Sequence, residues 1–364
     1  MWPYILLLTF PMIVQYVPFR NLTAIELDIF KRNSNKAIGV FWAGIFLLLI
    51  LRHETIGIDL PNYRLIFDFI SKSNLEKSLN RSLEFGYSFL NKVVSVFSTD
   101  FRWLLIVVAV LSVHFIAKAY VKFSCDAALT IVLFVNLSNF VLLFSGLRQA
   151  IAISLGFLAF EFVRQKKFVR FLIVVIVAML FHTSAFMLLF MYPIYHVRIT
   201  KKSLIFVVPV IGVVFAFNRQ IFSVLGLILS RYTKYDATIT STGAYTMLIL
   251  FILFAIFSYL IPDESKLDND TIGFRNFLLL SVVLQIFASL HPLAMRMNYY
   301  YMAFIPLLMP KIIENRSKRW NQVAVIARYV MIVFFFAYFC IGASNGDNNS
   351  LQTFPYRFLW EDVR

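Results

Sequence analysis

Long apolar segments recur along the whole chain, and short polar connections separate them. Hydrophobic residues make up 60% of the 364 residues, whereas a soluble domain holds about 45–50%. Inside a bilayer each backbone polar group must be satisfied within its own segment, and these segments lack the alternating pattern of barrel strands. The sequence therefore predicts an all-α polytopic integral membrane protein, in contact with membrane lipids.

These segments predict about 12 transmembrane helices, several of them shorter than the roughly 20 residues that cross a bilayer squarely. The predicted spans are 1–19, 37–51, 102–119, 128–147, 149–163, 168–182, 183–197, 203–218, 244–262, 271–290, 295–312 and 322–342. Together they would form a single transmembrane domain at 1–343. After the second span, an outer loop at 52–101 is expected to carry interfacial helices, and the one at 85–97 could also enter the bilayer.

The basic residues predict how these helices are oriented. The formal net charge is +15, and clusters of Lys and Arg follow the first, fifth, seventh and eleventh spans. Because cytoplasmic connections carry an excess of Lys and Arg, these four should face the cytoplasm and both termini the outside. The mostly acidic connection at 263–275 and the cations of the outer loop do not follow this pattern. No nucleic acid partner is expected, because the charge lies between spans.

The cysteines and the missing motifs limit the chemistry further. The sequence holds two cysteines, Cys125 and Cys340, and the predicted topology places them near opposite sides of the membrane. No pair of acidic or histidine residues has clear metal-ligand spacing, and no Gly-rich loop of an ATP-driven pump is present. We therefore expect neither a cofactor nor a metal.

Three predicted spans that run from the outer face toward the cytoplasm begin with polar residues that are uncommon in transmembrane helices. Arg148 and Gln149 begin the fifth span, His182 begins the seventh, and Arg296 begins the eleventh. Helix N-termini attract anions, and the planar fork of Arg suits phosphate oxygens. These residues predict a pocket for a phosphate or diphosphate near the outer surface. The alternatives are an Arg that reaches the lipid headgroups and a histidine that caps or packs.

Two carboxylates are also expected at the outer face. Asp59 lies between the turn residues Gly57 and Pro61, and Glu84 opens the next helical stretch. Either carboxylate could act as a general base toward a sugar hydroxyl. Salt bridges to neighbouring arginines are the alternative for both, and Glu84 could simply complement the helix dipole.

The last part of the chain, at 344–364, is predicted to be an extracytoplasmic aromatic tail. Its most aromatic stretch, at 354–360, reads FPYRFLW. Such a segment could pack over the outer face as a lid, or it could lie in the headgroup layer as an anchor.

In this order along the chain, these clusters resemble the EpsG-like branch of the bacterial O-antigen and exopolysaccharide polymerases of the Wzy type. The stretches that carry the resemblance are R-x4-G-x-D-x3-Y from Arg52 to Tyr63, E-x-G-Y-x3-N-K from Glu84 to Lys92, RQAIA from Arg148 with HTSA from His182, and Arg296 with Tyr299 and Tyr300, followed by PYRF from Pro355. They reach from about residue 50 to the end of the chain, and the order and the shared face make the match more specific than any one motif.

The resemblance implies a GT-C-like helical bundle in the bacterial inner membrane, active on its periplasmic, extracytoplasmic face. It implies a metal-independent glycosyltransferase that moves a growing glycan from undecaprenyl diphosphate to the terminal sugar hydroxyl of another lipid-linked repeat. Its substrates would be undecaprenyl-diphosphate-linked oligosaccharides, as in lipopolysaccharide or other polysaccharide biosynthesis. A partner that regulates chain length is also expected.

The resemblance also suggests roles for the candidate residues. Arg148 and Arg296, with Arg52, would stabilise the leaving diphosphate. Asp59 or Glu84 would orient or deprotonate the acceptor hydroxyl, and His182 could do either. The remaining substrate-binding candidates are Tyr63, Gln149, Tyr300, Tyr356 and Arg357.

Two other functions fit parts of this pattern. A flippase for lipid-linked oligosaccharides would also need cations for a diphosphate, but on both faces or along a central path rather than on one side. An O-antigen ligase or a related lipid-linked glycosyltransferase would use the same outer cluster with another acceptor.

Overall fold

The computed structural model of the protein describes residues 2–15, 24–79, 83–137, 139–228, 242–344 and 353–361. All regular secondary structure in these ranges is helical, and two isolated β-bridges accompany it. The chain divides into two compact units. The first contains Met1–Leu189 and Gln322–Arg364, and the second contains Phe190–Asn321. The prediction of a single domain at 1–343 stays a prediction.

The first unit begins with ten helices, and the outer loop supplies three of them. They are α1 (Trp2–Gln15), α2 (Ala24–Leu51), α3 (Leu60–Lys72), α4 (Leu75–Leu79), α5 (Phe85–Phe97), α6 (Phe101–Phe123), α7 (Ala127–Asn136), α8 (Asn139–Ser145), α9 (Leu147–Arg164) and α10 (Phe168–Phe181). A 3-10 helix at Thr183–Phe190 follows α10.

The second unit is built from seven α-helices in its described part. They are α11 (Met191–His196), α12 (Leu204–Ala216), α13 (Asn218–Ile228), α14 (Thr242–Leu260), α15 (Asn269–Ala288), α16 (Pro292–Met302) and α17 (Ile305–Glu314). Short 3-10 helices lie at Glu264–Lys266 and Lys318–Trp320. The chain then returns to the first unit through α18 (Asn321–Ser344).

Four helical segments in the described part of the chain are long and apolar enough to cross a membrane. They are Asp28–Leu51, Phe101–Phe123, Asn269–Ala288 and Lys318–Ser344. The number rises to six if α7 with α8, and α12 with α13, each form one bent span. The prediction of an all-helical chain with membrane-spanning helices is confirmed to this extent. The larger number of spans and the outside position of both termini stay predictions.

Several predicted spans are not single helices. The segment at 295–312 is divided between α16 and α17. Pro306 in the first turn of α17 explains the break, because it has no backbone N–H to donate and its ring would clash with the backbone carbonyl four residues earlier in a continuous helix. The segment at 183–197 is a 3-10 helix followed by the short α11. The segments at 128–147 and 203–218 contain bends of 56° and 76°. Hydropathy alone does not reveal such breaks.

The outer loop contains the helices that its amphipathic pattern predicts. One face of α3 and one face of α5 are buried with the first turns of α6 and α9 in a common apolar cluster. The members of this cluster are Leu60, Tyr63, Phe67, Tyr87, Val94, Phe101, Leu104, Leu105, Val108, Leu147 and Ile151. The loop is therefore a packed part of the first unit, and its position in the membrane interface stays a prediction.

The long helices of the first unit alternate in direction between two ends. At one end of α1, the Tyr4 hydroxyl donates a hydrogen bond to the carbonyl of Thr353 (2.6 Å), and at the other Gln15 donates to Asp126 (2.9 Å). The end that holds Asp126, called the Asp126 end below, also holds Lys122 and its partner Glu161 in α9. The opposite end holds the start of α9, and it is called the Arg148 end.

A buried ion pair connects three helices at the Asp126 end. Asp126 precedes α7, and its carboxylate accepts hydrogen bonds from Arg328 of α18 and from the Gln15 amide of α1. The side chains of Arg328 and Asp126 are only 6% and 5% exposed. The Gln15 amide oxygen in turn accepts from the N–H of Ala128 (2.6 Å). Because each polar group meets a partner, the charges can stay buried.

Removing the cation of this pair should destabilise the protein strongly. Arg328→Met leaves the Asp126 carboxylate buried without its counter-charge, and we expect a loss of about 3–5 kcal/mol. The matched control is Lys122→Met, which breaks a more exposed pair with Glu161 and should cost at most about 1 kcal/mol. Thermal unfolding in detergent measures both. Equal losses would show that the buried pair does not hold α1, α7 and α18 together.

Candidate functional site

Arg148 is fixed at the start of α9 by two side chains of the outer loop. Its Nη1 donates to the Glu84 carboxylate, and its Nε lies 3.4 Å from the Tyr63 hydroxyl. The guanidinium carbon lies 5.8 Å from the centre of the Tyr63 ring. The Arg148 side chain remains 26% exposed. A cation held in this way at a helix N-terminus can still meet an anion from outside.

The Glu84 carboxylate joins the start of α9 to the end of α10. One oxygen, Oε2, faces Arg148. The other, Oε1, accepts from the backbone N–H of Thr183 (3.4 Å) and lies 3.3 Å from Nδ1 of His182. Glu84 directly precedes α5 but makes no side-chain capping bond to it. The structure therefore brings together four of the predicted site residues, Tyr63, Glu84, Arg148 and His182, which are called the Glu84 cluster below.

The surroundings of Glu84 keep it ionised. Burial alone would raise its pKa, but the hydrogen bond with His182 and the positive charge of Arg148 have the larger combined effect. They lower the pKa of Glu84 from 4.5 to about 2. A carboxylate with this pKa is a weak base near neutral pH. Holding Arg148 and His182 therefore suits Glu84 better than taking a proton.

A glycine explains how Glu84 comes so close to α10. Gly86 lies in the first turn of α5, and a side-chain carbon there would come within 2.9 Å of the Leu180 carbonyl oxygen in α10. Lys92, the last residue of the E-x-G-Y-x3-N-K motif that begins at Glu84, also has a structural role. It donates a hydrogen bond to the Ser73 carbonyl at the end of α3 (2.6 Å). The sequence contained Gly86 and Lys92, but nothing in their spacing identified these contacts.

The loop before α3 is attached to the end of α8. Arg52 is 2% exposed, and its Nη1 donates to the Phe144 carbonyl (2.5 Å). Gly57 has a φ of +114° and presses against the same carbonyl, so that a side chain would collide with it. Phe144 is separated from Arg148 by a short turn, so Arg52 and Gly57 support the backbone from which Arg148 projects.

Asp59 and Tyr63 occupy the first turns of α3. Asp59 is exposed, and its carbonyl accepts the N–H of Tyr63 (3.1 Å). The two residues are therefore one helical turn apart, and Tyr63 contacts Arg148. Gln149, the other polar residue at the start of α9, is 4% exposed. Among these three, Asp59 is the side chain most accessible to a ligand.

The described part of the tail, 353–361, folds onto the Arg148 end. The Tyr356 hydroxyl donates to the Leu48 carbonyl (2.8 Å), and the Arg357 carbonyl accepts the N–H of His53 (2.9 Å). A further bond joins the Leu359 N–H to the Leu51 carbonyl (2.9 Å). Tyr356 is buried, and Arg357 is partly exposed. The rest of the predicted tail, at 345–352 and 362–364, lies outside the described residues.

Arg296 and Tyr300, the other predicted site residues, belong to α16 of the second unit. Arg296 is exposed, whereas Tyr300 is 2% exposed. His291, which the sequence analysis missed, precedes the same helix, and its Nδ1 accepts the N–H of Leu293 (3.0 Å). Burial, assisted by the charge of Arg296, lowers the pKa of His291. Arg296 thus lies in the first part of its helix, as Arg148 does.

Over the described ranges, no group of three or more His, Cys, Asp or Glu residues is arranged to hold a metal ion. The expectation of metal independence stays a prediction.

Comparison with known proteins gives one match. The model of the EpsG family matches residues 38–358, which include all the predicted site residues. No curated protein and no solved structure matches the chain.

The depressed pKa of Glu84 predicts a pH-dependent contribution to stability. The difference in unfolding free energy between wild type and Glu84→Gln should be fully present above about pH 5 and should decline as the pH falls from about 4.5 to 2. After allowance for solvent screening we expect about 1–2 kcal/mol. Denaturation in detergent at a series of pH values measures this difference. A constant difference across the range would contradict the ion pairing of Glu84.

Gly57 should be far more sensitive to substitution than a helical glycine of the same unit. Gly57→Ala forces a positive φ on an L side chain beside the Phe144 carbonyl, with an expected cost of about 1–3 kcal/mol. The control is Gly39→Ala in α2, where no atom lies within 4 Å of the new carbon. That change should stabilise by about 0.5–1 kcal/mol. The two variants are compared by their melting temperatures in detergent. Equal melting temperatures would contradict the close contact of Gly57 with the Phe144 carbonyl.

Proposed function

Because the chain belongs to the EpsG family, a family of Wzy-type and exopolysaccharide polymerase-like proteins, we propose that it polymerises lipid-linked oligosaccharide repeat units. The donor would be a growing glycan on undecaprenyl diphosphate. The acceptor would be the terminal sugar hydroxyl of another lipid-linked repeat. The family match and the apolar helices support a membrane polymerase-like function, and the substrates and the reaction are our proposal.

The Glu84 cluster is the observation that carries this proposal. In the transfer, the acceptor oxygen bonds to the anomeric carbon of the donor sugar while the bond from that carbon to the diphosphate breaks. The diphosphate leaves with the electron pair, and the acceptor proton passes to a base. Arg148 supplies a partly exposed guanidinium for the leaving diphosphate, and fixed donors of this kind stabilise developing charge.

Two residues near Arg148 are candidates for the base. His182 adjoins Glu84, which orients its ring through Nδ1. Asp59 is exposed one turn before Tyr63 and would meet an acceptor that approaches from solvent. A catalytic base must lie within hydrogen-bond reach of the proton that it takes. We keep both candidates and assign Glu84 to positioning.

The other predicted substrate ligands receive different roles in this proposal. Arg52 and Tyr356 are buried and bonded to backbone carbonyls, so we assign them to support of the site rather than to the diphosphate. Gln149, Arg357 and Tyr63 would border the substrate.

For the second unit, we keep the exposed Arg296 as a phosphate-binding candidate, and the buried Tyr300 would support α16. We also propose the roughly 12 transmembrane helices that the hydrophobic segments predict. The GT-C-like bundle and a length-regulating partner are proposed because the family resemblance implies them.

The charges support an extracytoplasmic site. The connections at the Asp126 end carry a cluster of basic residues, which include Lys122, Arg164, Lys166 and Lys167. By the positive-inside rule this end would face the cytoplasm. The Glu84 cluster would then lie at the periplasmic face of the bacterial inner membrane, where lipid-linked repeats are joined in this proposal.

Substitution of Arg148 should slow polymerisation strongly without preventing export of single repeats. In the native host, deletion of the gene should leave one-repeat glycans, and wild type should restore the ladder on gels. Arg148→Ala should lower the rate by about 10²–10³, and Arg148→Lys should restore it only in part because Lys lacks the planar fork. The control, Arg64→Ala, removes an exposed ion pair with Glu54 and should restore the ladder fully.

Two results would contradict the proposal. A full ladder with Arg148→Ala, expressed at the wild-type level, would exclude the Glu84 cluster from the chemistry. Loss of even the single repeat on deletion, with lipid-linked units accumulating inside, would favour a flippase instead.

A further inference from the structure

The Glu84 carboxylate holds one of the guanidinium nitrogens of Arg148 that an anionic substrate would use. Nη1 of Arg148 donates to Oε2 of Glu84, and the Tyr63 ring lies along another side of the guanidinium. Arg binds phosphate through the same N–H groups that it uses for a carboxylate. A diphosphate that reaches Arg148 would therefore compete with Glu84.

Oε1 of Glu84 contacts other groups, and it would keep these contacts when a diphosphate binds Arg148. Oε1 faces the N–H of Thr183 at 3.4 Å and Nδ1 of His182 at 3.3 Å. Both ring nitrogens of His182 are buried while the Glu84 cluster is intact. In this state the histidine is shielded, and the charge of Glu84 is shared between Arg148 and His182.

We propose that Glu84 is a positioning residue that exchanges partners during the reaction. The donor diphosphate replaces Glu84 on Arg148, and His182 is then the only side chain of the cluster that the carboxylate still contacts. This inference rests on the proposed function. A negative charge beside an imidazole favours its protonated form, so His182 becomes the stronger base only after the donor has bound. Binding of the donor thereby activates the acceptor hydroxyl.

The chemical step is balanced in this scheme. The acceptor oxygen bonds to the anomeric carbon, and the electron pair of the broken bond leaves with the diphosphate, which Arg148 holds. The acceptor proton moves to the imidazole of His182. The resulting cation lies beside the Glu84 carboxylate, which stabilises it until the proton passes to water. Departure of the diphosphate lets Glu84 return to Arg148.

The exchange predicts opposite effects of one substitution on binding and on turnover. Inorganic pyrophosphate is the probe, and calorimetry with the full-length protein in lipid nanodiscs measures its affinity. Because Glu84→Gln removes the competing charge, it should bind pyrophosphate about tenfold more tightly while kcat with lipid-linked repeats falls. Glu84→Asp keeps the charge and should bind as wild type does. Thermal unfolding of each variant checks that it is folded.

Two further variants separate the possible outcomes. Glu161→Gln is the matched control, because Glu161 is likewise an ion-paired carboxylate but lies at the Asp126 end, where it contacts Lys122 and Arg164. This variant should bind pyrophosphate with the affinity of wild type. If Arg148→Ala loses binding but Glu84→Gln binds no more tightly than wild type, the exchange is wrong and the proposed function stands. If Arg148→Ala binds as wild type does, Arg148 is not the diphosphate ligand, and both fail.

Discussion

The cost of placing a charge in hydrocarbon is the constraint on which the first unit depends. A charged side chain in a membrane protein is accommodated when it is paired or lies near a helix end. Two ion pairs obey this rule at opposite ends of the unit, Asp126 with Arg328 and Glu84 with Arg148. The helices between them are joined mainly by apolar and aromatic contacts, such as Trp42 against Tyr120 and Phe134. Polar chemistry is thereby concentrated at the ends.

Both pairs consist of an arginine and a carboxylate, but they differ in exposure and in their further side-chain partners. Arg328 and Asp126 are only 6% and 5% exposed, and the further side-chain partner of the carboxylate is the amide of Gln15, which does not take up protons. Arg148 and Glu84 are 26% and 14% exposed, and the further side-chain partner is a histidine. The first arrangement can only hold helices together. The second offers a partly exposed cation with an imidazole beside the same carboxylate, which is what the proposed transfer from a diphosphate would need.

The sequence predicted the helical class, and local patterns also singled out the four residues that the structure brings together in the Glu84 cluster. Arg148 and His182 were expected on one side because charge patterning fixed the direction of their helices, and the structure brings them to one carboxylate. The contact of Glu84 with Arg148 spans 64 residues of sequence, and that with Thr183 spans 99. No periodicity encodes such contacts. The family resemblance suggested a diphosphate role for Arg52, which stays a prediction. The sequence did not show that its buried guanidinium donates to the Phe144 carbonyl, 92 residues away.

Support of the site extends well beyond the residues that would touch a substrate. Arg52 fixes the Phe144 carbonyl, and this carbonyl ends the helix that leads directly into the turn before Arg148. Arg52 itself is paired through its backbone with Phe358 of the tail, and Tyr356 is bonded to the end of α2. The family match ends at residue 358, so the pairing of Arg52 with Phe358 lies within the matched part of the chain. A guanidinium must be held in place before charge develops if it is to stabilise that charge without reorganisation. In the proposed reaction, the buried Arg52 and the aromatic tail would help to meet this requirement for Arg148, because they hold the backbone that leads to it.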